Sequence, residues 1–182
     1  MLILGAAGSR AVAQDMPVPV ETQVPILLKI LTFDRAITAR PSDRLVIGII
    51  FQGRNRISSE IGDQVVRQLK ATAPAIRVVP LDLDRTDDLV AALIRDSVQV
   101  LYVAPLQAVA ISTLSKATRE RQVLSYTGVP RYVEQGLAVG IDVDGMRPQI
   151  VINLEASRAE GAAFSAQLLK LVRLTGAKSA GP

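Results

Sequence analysis

Leu45-Val-Ile-Gly-Ile-Ile-Phe51 is the stretch on which the fold turns. It is too short for a typical helix and apolar at nearly every position, the pattern of a strand covered on both faces. On that pattern it is read as the central strand of a parallel sheet. Working outward, Ile57, Ile61, Val65 and Leu69 recur every four residues between Asn55 and Lys70, which predicts an amphipathic helix returning to that sheet. Ile76 to Leu81 follows as a strand that Pro80, unable to donate to a ladder, pushes to an edge. Thr86, Asp87 and Asp88 form a helix start, with a capping hydroxyl and two anions at the positive end of the dipole; the helix buries Leu89, Val90, Leu93 and Ile94. Val98 to Val103 is a second apolar strand, Gln107 to Thr118 a helix, and Val123 to Tyr126 a short strand. This short alternation of strand and helix implies parallel pairing through right-handed crossovers.

The pattern changes after Pro130 to Gln135, a helical turn closed by Gly136. Leu137 to Asp142 and Gln149 to Asn153 alternate and meet through Asp144-Gly145, which predicts an antiparallel hairpin at one side of the sheet. A helical stretch from Leu154 carries the capping-box spacing Ser157 to Glu160 and is interrupted at Gly161. Ser165 to Leu174 is expected to form a closing helix burying Leu168, Leu171 and Val172. At the other end Val24, Leu27, Leu28 and Leu31 share one helix face, with Pro25 confined to the first turn and the helix starting near Gln23. The expected fold is therefore α/β: a single three-layer domain with a mostly parallel sheet, an antiparallel C-terminal hairpin and flanking helices.

The 182 residues contain neither cysteine nor histidine. Disulfides, thiolate nucleophiles, Cys/His zinc sites and imidazole-based triads are thereby excluded. The 21 Lys and Arg are interspersed with 17 Asp and Glu, and three Phe and three Tyr are the only aromatics. Nucleic-acid binding is not expected, since it needs a basic stripe and stacking platforms. The carboxylate-rich run Asp82 to Asp88 fails the calcium-loop template, with Asp87 where Gly belongs and Leu93 where the bidentate Glu belongs, so no metal is expected. Phe51-Gln-Gly53-Arg-Asn55 lies where α/β proteins bind anions but has neither nucleotide-binding glycine pattern. Ser112 and Lys116, one helical turn apart, are an ordinary surface pair, and no G-x-S-x-G elbow occurs. The expectation is a protein that is not an enzyme and carries no cofactor.

Residues 1–13 are apolar and small, closing on Ala11-Val12-Ala13, and read as a short signal peptide despite having no Lys or Arg before the apolar run. Residues 14–174 would form the domain and 175–182 a disordered tail. No other segment is long and apolar enough to insert in a membrane. A small ligand, if bound, belongs beyond the carboxyl ends of the strands, where Arg54, Gln107, Tyr126 and Arg131 are the candidate contacts.

Val100-Leu-Tyr-Val103, Leu124-Ser-Tyr-Thr-Gly128, the Glu134-Gln-Gly136 turn, Asn153-Leu-Glu-Ala156 and Ser165-Ala-Gln-Leu-Leu-Lys-Leu171 together resemble the YfiR/HmsC-like family of bacterial periplasmic proteins, over Val20 to Leu174. The resemblance implies a non-enzymatic periplasmic regulator that binds the sensor domain of an inner-membrane protein, a diguanylate cyclase or a sensor kinase. Repression of a cyclase would lower cyclic-di-GMP and biofilm formation. A homodimer is a further possible assembly, and the first helix, through Val24, Leu27, Leu28 and Leu31, is the expected partner face. The alternative from another class is a periplasmic small-solute-binding module. Two departures stand out. The cysteine pairs of the best-known relative have no counterpart here, which rules out redox gating, and Phe33-Asp34-Arg35 replaces the aromatic-Pro pair common in relatives.

Overall fold

A computed structural model describes residues 16–39 and 44–176; the expected signal peptide, and the tail beyond Gly176, lie outside the described residues. The elements are α1 (Val20–Leu31), α2 (Arg35–Thr38), β1 (Val46–Phe51), α3 (Arg56–Thr72), β2 (Arg77–Asp82), α4 (Leu89–Arg95), β3 (Val100–Val103), α5 (Ile111–Arg121), β4 (Leu124–Thr127), α6 (Pro130–Glu134), β5 (Val139–Asp144), β6 (Arg147–Asn153), α7 (Leu154–Ala159), α8 (Ala166–Leu169) and β7 (Arg173–Thr175). The seven strands run in the order β2-β1-β3-β4-β5-β6-β7. All neighbours are parallel except β5 and β6, which form the predicted hairpin.

Alternation along the inner strands builds the three layers. Ile47, Ile49, Val100, Tyr102, Leu124 and Tyr126 point to one core, covered by α1, α3, α7 and α8. Val46, Ile50, Leu101 and Val103 point to the other, covered by α4, α5 and α6. Period-two geometry assigns successive side chains to opposite faces, so a strand apolar at every position must be covered twice. β1 meets that condition, yet it is the second strand from the edge rather than the centre, because the hairpin and β7 extend the sheet on the far side. β2 is the edge, and its Pro80 is exposed as the missing donor requires.

Local chemistry moves several boundaries. α1 starts at Val20 behind Pro19, so Pro25 sits inside the helix on its exposed side, where the unpaired carbonyl one turn back can meet water. Asn55 caps α3 by accepting from Ser58 N. At α4 the cap is Asp88, accepting from Ala91 N; the Thr86 hydroxyl instead donates to the Asp82 carbonyl at 2.7 Å. Ala108, at φ 53°, breaks the helix expected from Gln107, and α5 begins only at Ile111. Asn153, accepting from Ala156 N, caps α7, and the Ser157 to Glu160 spacing is no capping box, since Glu160 is buried and bonded elsewhere. The closing helix from Ser165 lasts four residues. Leu168 is buried as expected, but Leu171 is 74% exposed, and Arg173–Thr175 pairs with β6 as a seventh strand. Thr175, assigned to the tail, thus belongs to the sheet.

The first core contains a polar insert. Gln23 on α1 is fully buried; its amide donates to Val18 O at 2.6 Å and its Oε1 accepts from the Tyr102 hydroxyl at 2.8 Å. The Tyr126 hydroxyl donates to Gln23 O at 3.3 Å. Burial raises the pKa of both tyrosines, so these hydroxyls stay protonated and can donate. Replacing Gln23 with Leu would strand the Tyr102 hydroxyl and the Val18 carbonyl in an apolar layer. The expected loss is about 2–3 kcal/mol, read as a lower denaturant midpoint at unchanged slope.

Candidate functional site

The strand order doubles back between β1 and β3, and in open α/β sheets ligands bind beyond the carboxyl ends of the strands at such a point. The loops that rim it are Gln52–Asn55 after β1, the turn after Asp82, residues 104–110 after β3, and Gly128–Val129 leading into α6. These segments bond to each other. Gln52 reaches across the gap, donating through Nε2 to Gln107 O at 3.0 Å and accepting the Gln107 N–H through Oε1 at 2.7 Å. The Gln52 N–H donates in turn to the Ser58 hydroxyl at 3.0 Å, which ties the bridge to the first turn of α3. From α6 the Tyr132 hydroxyl accepts the Leu106 N–H at 2.8 Å and donates to Leu106 O at 3.1 Å.

The would-be anion cradle is filled by the chain itself. The Gly53 N–H donates to Asp82 Oδ1 at 2.8 Å and the Arg54 N–H to Asp84 Oδ2 at 2.7 Å. Asp82 Oδ1 also accepts the Asp84 N–H at 3.0 Å. A Cβ at position 53 would collide with Asp82 Oδ2, so glycine is needed for the carboxylate to approach the backbone. The donors that could hold a phosphate thus already hold carboxylates.

The four candidate ligand contacts are not brought together into a pocket. Arg54 is exposed at the rim and Gln107 is exposed but has its backbone engaged by Gln52. Arg131 is exposed with its guanidinium 5.6 Å from the Tyr132 ring centre. Tyr126 is a correction: it has no exposed surface and lies inside the sheet, its hydroxyl turned to α1. Its place near the end of a four-residue strand suggested access, but the strand ends one residue later, under Gly128 and Gln23. Among the described residues, no three Asp or Glu come together as a metal site.

The expected partner face is corrected as well. Val24, Leu27 and Leu31 are 0%, 0% and 4% exposed and Leu28 is half-buried, so α1 spends its apolar face on its own sheet. Large exposed apolar side chains among the described residues are Ile94, Leu171, Leu174 and, on the hairpin, Val143 and Met146. β4 pairs with β5 only at Val139 and Gly140, and β7 pairs with β6 only at residues 151–153. Residues 141–150 therefore project past both neighbours as a two-stranded arm, on the side of the sheet where β4 ends. Ile141, Val143, Pro148 and Ile150 share one face by alternation, continuing the first core into solvent; Val143 is 39% and Met146 at the turn 99% exposed. The other face is polar, with the Arg173 guanidinium donating to Asp142 at 2.7 Å and to Gln149 at 3.2 Å. Both strand edges are blunted: Pro148 has no N–H, and the Val143 N–H is taken by Asp142 Oδ1 at 2.9 Å.

Sequence reasoning missed three buried polar groups: Gln23, Asp34 and Glu160. Asp34 caps α2 through Ala36 N and also accepts the Ala163 N–H at 2.9 Å. Glu160 lies beneath β4 and the end of α5. Its Oε1 accepts from the Thr118 hydroxyl at 2.6 Å and its Oε2 accepts the Ser125 N–H at 2.7 Å, with the Ser125 hydroxyl bonded to both oxygens. The available signal was Ser125 and Thr127 in a strand that must be buried on both faces. Hydroxyls there need partners.

The YfiR/HmsC-like family model matches residues 21–173. The chain belongs to the YfiR/HmsC-like family. No curated protein matches the chain at a significant level. Solved structures share the fold. A conserved domain protein from Vibrio cholerae has a TM-score of 0.62 at 16% identity, covering 86% of this chain and 60% of its own. An ABC domain from Streptococcus pneumoniae in complex with L-Trp gives 0.63 at 12%, with the same coverage. A ligand-free, open substrate-binding protein with adhesive properties from Clostridium difficile gives 0.62 at 15%, covering 88% and 61%. The chain thus spans about three fifths of the length of these neighbours. Among the described residues no helix is long and apolar enough to cross a membrane.

The self-occupied cradle makes a quantitative prediction. Asp82→Ala strips the side-chain acceptor from the N–H groups of Gly53 and Asp84, both exposed, and should cost about 1 kcal/mol. Arg85→Ala removes only an exposed 3.5 Å ion pair to the same carboxylate and should cost less than about 0.5 kcal/mol. Parallel chemical denaturation of the two variants reads the difference.

Proposed function

We propose that the protein is a periplasmic regulator that docks on the extracytoplasmic sensor domain of an inner-membrane signalling protein and represses it, the output being a diguanylate cyclase. The observation that carries this reading is the family match over residues 21–173. Two features of the structure support it. At the strand ends that a solute-binding module would use, the loops already pair their own polar groups through Gln52, Gln107, Asp82 and Asp84, which favours recognition by an outer surface. The apolar face of the 141–150 arm, with Val143 and Met146 exposed, is the surface of suitable chemistry. It replaces α1 as the partner face. The partner is an apolar depression on the sensor domain that accepts Met146, with the blunted arm edges directing contact through the face rather than by strand addition.

The test is binding between the purified protein and the extracytoplasmic domain of the membrane signalling protein encoded beside it. Met146→Asp should weaken that complex by about tenfold or more, roughly 1.4 kcal/mol, without changing the denaturation midpoint, because residue 146 is almost fully exposed. Equal affinity for both proteins would remove the arm from the interface. Deleting the gene should raise cellular cyclic-di-GMP; an unchanged level would exclude a cyclase as the output and leave docking to be judged by the binding measurement.

A further inference from the structure

The chain after α7 does not simply continue the domain; it wraps it. Gly161, at φ +81°, turns the backbone away from α7. The Ala163 carbonyl accepts the Arg35 N–H and its N–H meets Asp34, while the Ser165 N–H donates to Phe33 O, which fastens the segment to the α1–α2 joint. β7 then adds to the open side of β6. Residues 161–176 are therefore a strap crossing from one end of the sheet to its edge, and Glu160 is the root from which it leaves.

Glu160 is 1% exposed and is held by donors from two other elements, Thr118 on α5 and Ser125 on β4. The Ser125 hydroxyl accepts the Ala138 N–H at 2.8 Å, which extends the cluster to the start of β5. The arrangement has a second state built in. Thr118 can direct its one proton to Glu160 Oε1 at 2.6 Å or to Ser115 O at 3.0 Å, and a protonated Glu160 can turn from acceptor to donor towards Ser125 Oγ. Arg119 on α5, whose guanidinium donates to Gly136 O at 3.2 Å, is the charged group that acts on the carboxyl; β4 offers it only hydroxyl and amide. Nothing in the regulatory reading uses this cluster.

We propose that the Glu160–Ser125–Thr118 cluster is a proton-operated clasp that sets how firmly the strap, residues 161–176, is held on the domain. Burial, outweighing the hydrogen bonds and Arg119, raises the folded carboxyl from 4.5 to about 7. Because the folded state keeps its proton over a range in which a solvated carboxyl has lost it, opening releases a proton. Rising pH therefore favours opening between about 4.5 and about 7, by up to about tenfold per pH unit, and the effect levels off above that window.

The absence of native cysteine permits one nitroxide label at a chosen position. Leu171→Cys, at a 74% exposed strap residue, reports on the strap; Ile94→Cys, at a 51% exposed residue of α4 in the helical layer over the second core, is the reference. Between pH 5 and 8 the mobile component at 171 should grow up to about pH 7 and then level off, while the spectrum at 94 stays constant. Glu160→Gln should abolish the pH response at 171. Thr118→Val, which removes a hydrogen bond favouring the ionised form, should move the response to higher pH and carries the test should the Gln variant not fold. A strap label indifferent to pH, an unaltered response in both variants, or an equal response at 94 would overturn the clasp.

Discussion

A parallel strand that is apolar at every position has to be covered on both faces, and the rest of this domain is arranged around that requirement. Ile47 and Ile49 need α1 and α3 while Val46 and Ile50 need the α4–α5 layer, so the crossovers must between them supply helices to both faces. β3 obeys the same rule through Val100 and Tyr102 against Leu101 and Val103. The first helix is therefore not available as a recognition surface. Its apolar face is the roof over β1, β3 and β4, and removing it would expose Tyr102 and Tyr126 together with the Gln23 network that satisfies them.

Where the requirement lapses, the structure changes character. β4 is the last strand whose neighbours are both parallel, and it already mixes Ser125 and Thr127 with Leu124 and Tyr126. The Thr127 hydroxyl donates to Val103 O at 3.0 Å and Ser125 bonds Glu160, so polar atoms inside the sheet are paired side chain by side chain. Past β4 the hairpin needs cover only at its base, which lets its outer half leave the domain. A two-stranded ribbon is marginal alone. Here the arm is braced by the Asp142–Arg173 pair at 2.7 Å, whose partly buried setting favours it over the exposed Arg56–Glu60 pair at 2.9 Å.

The legibility of the sequence follows from which interactions are local. The Ile/Val runs of β1 and β3, the four-residue recurrence through Val65 and Leu69, Pro80 at an edge and the Asp144-Gly145 turn each carry their meaning within a few residues, whereas the place of β1, second from the edge and not central, depends on strands added later in the chain. Ser165 to Leu174 has an apolar spacing compatible with a helix, whereas the free edge of β6, whose Val151 precedes its partner Arg173 by 22 residues, offers Arg173–Thr175 a ladder. The α1 face was read correctly as apolar and wrongly as exposed; periodicity reports an apolar face but not what covers it. Glu160 was hidden for the same reason. Its partners Thr118 and Ser125 lie 42 and 35 residues away, and only the folded sheet places them together.

The pairing among the strand-end loops and the freedom of the arm are linked by geometry. β5 runs parallel to β4, so continuing past Thr127 carries it out on the side where the β1 and β3 loops would otherwise open to a ligand. On that side the chain answers its own donors with Asp82 and Asp84 and its own amides with Gln52 and Gln107, and the ordering requires no guest. A site whose polar groups are already paired gives a small solute little to gain, since each new hydrogen bond replaces one of equal worth. An exposed methionine on a braced arm is in the opposite position: its contact with water is unfavourable, and its flexible thioether adapts to the shape of whatever depression receives it. The same fold that pairs its own polar groups at the strand ends thus leaves Val143 and Met146 in contact with water on the arm beside them.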